Sequence, residues 1–78
     1  MDFSAELLKV GQVTKALREE RGITQLAFAE ATGMDIYTQN LLEQGKYDIT
    51  MVEIVAITEY LQITLAEYFK EFTTKLSR

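Results

Sequence analysis

The sequence predicts an all-α fold: five short helices in one compact domain covering residues 1–78. Three observations predict it. Two threonines, each followed three residues later by a glutamate, open helical patterns at Thr50–Glu53 and Thr64–Glu67. Three helix starts carry a pair of apolar residues placed as a hydrophobic staple: Ile23 with Phe28, Ile49 with Ile54, and Ile63 with Tyr68. Apolar residues recur at three- and four-residue spacing, no proline interrupts them, and no stretch alternates as a strand would.

The first helix is expected from about Ser4 to Arg21, with Leu7, Val10, Val13 and Leu17 on one apolar face. Gly22 suits the left-handed cap that ends it. Gly11 weakens the first two turns. The second helix follows the N-cap Thr24 and stops at Gly33. Asp35 caps the third, which covers about Ile36 to Gln44 and stops at Gly45. The fourth starts at the Thr50–Glu53 box and turns Ile54, Val55, Ile57 and Leu61 inward. The fifth starts at the Thr64–Glu67 box, runs to about Lys75 and carries Leu65, Tyr68, Phe69, Phe72 and Leu76. Two short helices joined by a tight turn, residues 24–44, have the layout of a helix-turn-helix, whose second helix enters the DNA major groove.

Composition narrows the function. The apolar fraction of 47% is ample for a core. The chain has no cysteine and no histidine, so disulfides, the common zinc sites and histidine acid–base chemistry are not expected. Without a glycine-rich phosphate loop or metal-ligand spacing, neither a metal, a cofactor nor an enzymatic activity is expected. Glu19 and Glu20 are adjacent and diverge on a helix, which reads as solvated charge. No apolar run approaches the roughly 20 residues of a membrane span, and the N-terminus is not a signal peptide, so a cytoplasmic protein is expected.

Charge works against the motif. The net charge is −4, and no lysine or arginine lies between Gly22 and Gly45. Nucleic-acid binders normally carry a basic footprint. Lys9, Lys15, Arg18, Arg21 and Lys46 are the cations expected around a DNA face, while Lys70, Lys75 and Arg78 suit a solvated helix end.

Four segments in order, K-A-L-R-E-E-R-G-I-T-Q, F-A-E-A-T-G, L-L-E-Q-G-K and I-V-A-I-T-E-Y-L-Q-I-T-L-A-E-Y-F, resemble the Cro/C1-type helix-turn-helix (XRE) family over Val10 to Phe69. No single piece is specific; their order and spacing are. The resemblance implies a lambda-repressor-like fold, DNA binding and homodimerisation. Small phage repressors and restriction–modification controller proteins are similar in size. By this resemblance Gln25 contacts a phosphate and braces the third helix. Arg18 and Glu43 form an internal ion pair that orients that helix. Ile36, Tyr37 and Leu41 fall where base edges are read, with Thr38 and Asn40 beside them, and Lys46 meets a phosphate. Three residues depart from the family pattern. Gln39 stands where a core Ile or Val is usual, so it needs a hydrogen-bond partner or a slightly rotated third helix. Tyr60 replaces a small residue. Gln62 replaces a glycine, so its turn is left-handed at a cost or changes type.

For base reading, Asn40, Gln44 and, on a rotated helix, Gln39 supply amides suited to adenine, and Ile36, Tyr37 and Leu41 supply apolar contact for thymine methyls. With no arginine there, an A·T-rich half-site and a shallow salt dependence are expected. Asp35 at the mouth of the third helix opposes a phosphate unless capping engages its carboxylate. Packing is the competing reading: Leu42 is core, and Ile36 and Leu41 are open to the same role.

Two functions fit. The first is a sequence-specific transcriptional regulator bound to double-stranded DNA as a homodimer. Helices four and five, about 51–75, would supply the interface through Tyr60, Tyr68 and Phe72, with Phe69 completing the core. The second is a protein-interaction module on the same fold, with Ile36, Tyr37 and Leu41 as its apolar patch and weak or no DNA binding.

Overall fold

Four of the five helices begin at a residue whose side chain takes up a free N–H group of the first turn; the first helix, which begins after Phe3, does not. The computed structural model describes residues 2–76, with side chains as far as Thr73. Among these residues there are five helices and no strand: α1 (Ser4–Glu20), α2 (Gln25–Thr32), α3 (Ile36–Glu43), α4 (Met51–Leu61) and α5 (Leu65–Leu76). The side chains of Lys75 and Leu76, and Arg78 as a whole, lie outside the described residues. Thr24 accepts from the backbone N–H of Ala27 and Asp35 from that of Thr38. Thr50 and Glu53 form a reciprocal box, as do Thr64 and Glu67.

The helix ends share one device. At Gly22, Gly33, Gly45 and Gln62 the chain turns left-handed. In each case the next residue donates its N–H to a carbonyl five residues back: Ile23 to Arg18, Met34 to Ala29, Lys46 to Leu41, and Ile63 to Thr58. This is the Schellman closure. In three of the four connections the pattern is compact: a left-handed residue, an apolar residue, then the next N-cap. The apolar residue closes one helix and staples the next. Its partner is the fourth residue of that next helix, Phe28 in α2 and Tyr68 in α5. Ile49 and Ile54 do the same for α4. In α3 the fourth residue is Gln39.

The core is assembled around α1, which packs on α3 and α5, while α2 packs on α3 and α4. Val13 and Leu17 meet Phe28, Leu42, Ile54, Ile57, Leu61 and Tyr68 in it. Gly11 is where α1 comes closest to α3: a Cβ built there would lie 2.4 Å from the Leu42 carbonyl oxygen. The residue that weakens α1 as an isolated helix is therefore required by packing.

The aromatic residues of α5 correct the sequence expectation. Tyr68 is 0% exposed, and its hydroxyl lies 2.7 Å from that of Thr14 on α1. It has no surface to offer a second copy. Phe69, expected in the core, is 41% exposed. The physical reason is the 100° step between neighbours on a helix: with Tyr68 turned to Thr14, Phe69 swings to the rim. Phe72 is half-buried against the core, and Tyr60 is partly exposed, its ring edge-on to Phe28 at 5.5 Å. Gln62 adopts the left-handed conformation, φ 58° and ψ 43°, so the turn keeps its type despite lacking glycine.

Candidate nucleic-acid interface

The turn between α2 and α3 consists of Gly33, Met34 and Asp35. Gly33 sits at φ 82°, a conformation that suits glycine, and Met34 is buried beneath the turn. This fixes the direction in which α3 leaves. Asp35 Oδ1 accepts from the Thr38 N–H at 2.7 Å, and that bond holds the carboxyl below its ordinary range. The carboxylate is thus tied to the helix it caps, while the residue remains exposed.

On α3 the residues separate into two faces. Gln39, Leu42 and Glu43 point inward. Ile36, Tyr37 and Asn40 are exposed and Leu41 and Thr38 half-buried; Gln44, at the helix end, is exposed. Tyr37 is 71% exposed, the most open of the aromatic side chains on this helix pair. Gln44 Nε2 donates to Asn40 Oδ1 one turn earlier. The expected reading residues therefore share the outer surface, apolar at its start and amide-bearing at its end. Thr38 contributes its backbone N–H to the cap and is only partly accessible.

Behind this surface lies a buried polar cluster. Arg18 Nε donates to Glu43 Oε2 at 2.7 Å and its Nη2 to Glu43 Oε1 at 3.0 Å, a two-pronged pair. Arg18 Nη1 donates to the Ile23 carbonyl at 2.7 Å. Gln25 Nε2 donates to Glu43 Oε1 at 3.0 Å, and Gln39 Nε2 to Glu43 Oε2 at 2.8 Å. One carboxylate thus joins α1, the start of α2 and α3. Burial pushes the Glu43 carboxyl up, but the bonds from Arg18, Gln25 and Gln39 outweigh it and hold the group below its ordinary range. The same contact raises the Arg18 guanidinium.

Arg18 and Glu43 are an internal pair, so Arg18 is not one of the cations around a DNA face. Gln25 braces Glu43 from a half-buried position. Gln39 is 0% exposed and finds its partner in Glu43, so α3 is not rotated to bring it outward. Its Oε1, however, has no partner. Such an orphaned buried acceptor costs roughly 1–3 kcal/mol. The i, i+4 spacing of Gln39 and Glu43 was the available signal for their bond.

The loop after α3 carries the exposed Lys46. Its shape is held by a group that the sequence reading did not single out. The Tyr47 hydroxyl donates to Glu53 Oε2, while Glu53 Oε1 accepts from the Thr50 N–H and hydroxyl. The α4 box therefore also anchors the loop that presents Lys46. A separate open groove of about 390 Å³ lies between α1 and α5, with Leu17 and Ile63 lining it beside charged residues and no α3 residue in its wall. No helix among the described residues is long and apolar enough to cross a membrane.

Comparison with known proteins agrees with this geometry. A helix-turn-helix family model matches residues 15–68. No curated protein matches by sequence. Among solved structures, the restriction-modification controller protein C.AhdI from Aeromonas hydrophila is similar at 30% identity and TM-score 0.77, over 82% of this chain and 97% of that one. A mutant of the restriction-modification controller protein C.Esp1396I shares the fold at TM-score 0.83 and 24% identity, over 92% and 91% of the two chains. The clp gene regulator ClgR from Corynebacterium glutamicum does so at TM-score 0.83 and 18% identity, over 91% and 76%. The motif at residues 15–68, on five helices that superpose on these regulators, shows that the chain belongs to the Cro/C1-type helix-turn-helix family of DNA-binding regulators.

Proposed function

We propose that this protein regulates transcription in the cytoplasm by binding a two-fold operator as a homodimer, with α3 in the major groove. The observation that carries the reading is the outer face of α3, held from behind by the buried Arg18–Glu43 pair. Ile36, Tyr37 and Leu41 meet base edges and thymine methyls, and Asn40 and Gln44 supply amides for adenine. Gln25 and Lys46 contact phosphates, helped by the free N–H groups at the start of α2. Thr38 and Asp35 flank the groove, with Asp35 engaged in its cap.

The dimer reading rests on size and on leftover apolar surface. One copy spans 29 × 24 × 21 Å, room for one reading helix, and two-fold operators repeat their half-sites about 34 Å apart. Tyr60 and Phe72 remain interface candidates, Phe69 joins them, and Tyr68 leaves the set. The resemblance to C.AhdI supports a controller-like role.

A second reading, a protein-binding surface on α3, is favoured by one observation: Ile36 and Tyr37 are exposed together on a helix pair without a cation. Fluorescence anisotropy with mixed-sequence duplex at low salt separates the two. Binding that weakens as salt is added supports the DNA reading. No binding at micromolar protein sinks it and leaves the protein partner. Sedimentation equilibrium on the same sample tests the dimer, and a monomer on a two-fold duplex would refute it.

A further inference from the structure

We infer that Gln39 is a positioning residue for DNA reading: through Glu43 it fixes the amide of Gln25, and with it the seat of α3 on the phosphate backbone. The inference rests on the DNA-binding reading above.

The chain's own regularity makes Gln39 stand out. The fourth residue of α2, α4 and α5 is Phe28, Ile54 and Tyr68, and each is buried. The fourth residue of α3 is equally buried but carries an amide. Met34, the apolar residue just before the Asp35 cap, is in place for the fourth staple. An aliphatic side chain at position 39 would complete it and leave no orphaned oxygen. Buried polar atoms without partners are rare enough that each asks for a reason.

The geometry around Glu43 supplies one. Arg18 takes one position on each carboxylate oxygen. The second position on Oε1 goes to Gln25, and the second on Oε2 goes to Gln39. The two amides therefore approach the carboxylate from opposite sides. With Gln39 removed, the carboxylate can tilt toward Gln25 without losing either Arg18 bond, and the Gln25 amide moves with it. The orientation of the Gln39 amide is itself fixed, because turning it over would set Oε1 against Glu43 Oε2. Its orphaned oxygen is thus the consequence of aiming its nitrogen at Glu43.

The test uses Gln39→Leu and Gln39→Met, which remove both the bond and the orphan. The probes are the tightest duplex selected by the native protein from a random library and a mixed-sequence duplex. Both variants should unfold at or above the native temperature. Both should lose affinity for the selected duplex on the order of tenfold, the low end of what one well-placed base contact is worth. Affinity for the mixed duplex should fall less, because only the selected duplex also loses the base contacts that a misplaced α3 no longer meets. Adding Gln25→Ala to either variant should then lower the selected-duplex affinity less than Gln25→Ala does in the native chain.

A purely structural role predicts a changed melting temperature with an unchanged ratio of the two affinities. A ratio within about twofold of native, or additive effects with Gln25→Ala, overturns the inference while leaving the DNA reading intact. Failure of both variants to fold makes Gln39 a folding residue and overturns it as well. A native protein that selects no duplex overturns the DNA reading first and this inference with it.

Discussion

Gly11→Ala sets two opposing effects against each other, and the structure decides between them. By helix propensity alone, alanine in the middle of α1 stabilises by about 1 kcal/mol. The added Cβ, however, lands 2.4 Å from the Leu42 carbonyl oxygen, 2.9 Å from that of Glu43 and 3.0 Å from the Glu43 carbonyl carbon, where ordinary contact begins near 3.4 Å. All three atoms are backbone, so no rotamer change relieves them. The helices must separate by about 1 Å, and overpacking of that kind costs about 1–3 kcal/mol. The upper end applies, because the contact is rigid on both sides. A net loss of about 1–2 kcal/mol follows, which for a domain of this size lowers the melting temperature by roughly 5–15 °C. Thermal and urea unfolding followed by circular dichroism measure it, with Gln12→Ala on the exposed side of α1 as the control. A Gly11→Ala chain that melts at or above the native temperature would refute the close approach of α1 and α3.

Three further outcomes are expected. Gln62→Gly should stabilise the protein by about 0.5–1 kcal/mol, since it relieves a left-handed conformation worth about 1–2 kcal/mol and gives back part of that as chain entropy; a lower midpoint in urea would count against this. Glu43→Ala should cost about 3–5 kcal/mol by stranding the buried Arg18, a large share of the about 4–12 kcal/mol typical of such a domain, and an unfolding midpoint close to native would contradict it. The Glu43 carboxyl is held below its ordinary range in the fold, so its contribution is fully present above the unfolded value of about 4.3 and is lost as pH falls through the folded one. Melting temperature against pH should therefore fall more steeply on the acid side in the native chain than in the variant Glu43→Ala, and parallel curves would show that Glu43 does not carry this linkage.

Local chemistry made most of the fold legible. A cap needs only a hydroxyl or carboxylate three residues before the N–H it accepts from, so Thr24, Asp35, Thr50 and Thr64 could be read directly, along with three of the four left-handed stops. What the sequence could not rank were choices set across the chain. Tyr68 and Phe69 are neighbouring aromatics on α5, and which one enters the core depends on a hydroxyl at Thr14, 54 residues away. Gly11 is a defect by local rules and a requirement only because α3 carbonyls lie against it. The outer face of α3 was legible from spacing, since exposure on a helix follows from its period. The fate of Gln39 was not, because a buried amide and a rotated helix satisfy the same local pattern until the position of Arg18 is known.

The cation-free stretch from Gly22 to Gly45 also bears on how such a regulator is counted by the cell. Most sequence-specific regulators spend their time parked on bulk chromosome, held there by charge, and the copies at the operator are a small remainder. A reading surface with little charge has a smaller reservoir of that kind. On the proposed DNA reading, a larger share of the molecules would stay dissolved between visits, and operator occupancy would follow the concentration of free dimer more directly.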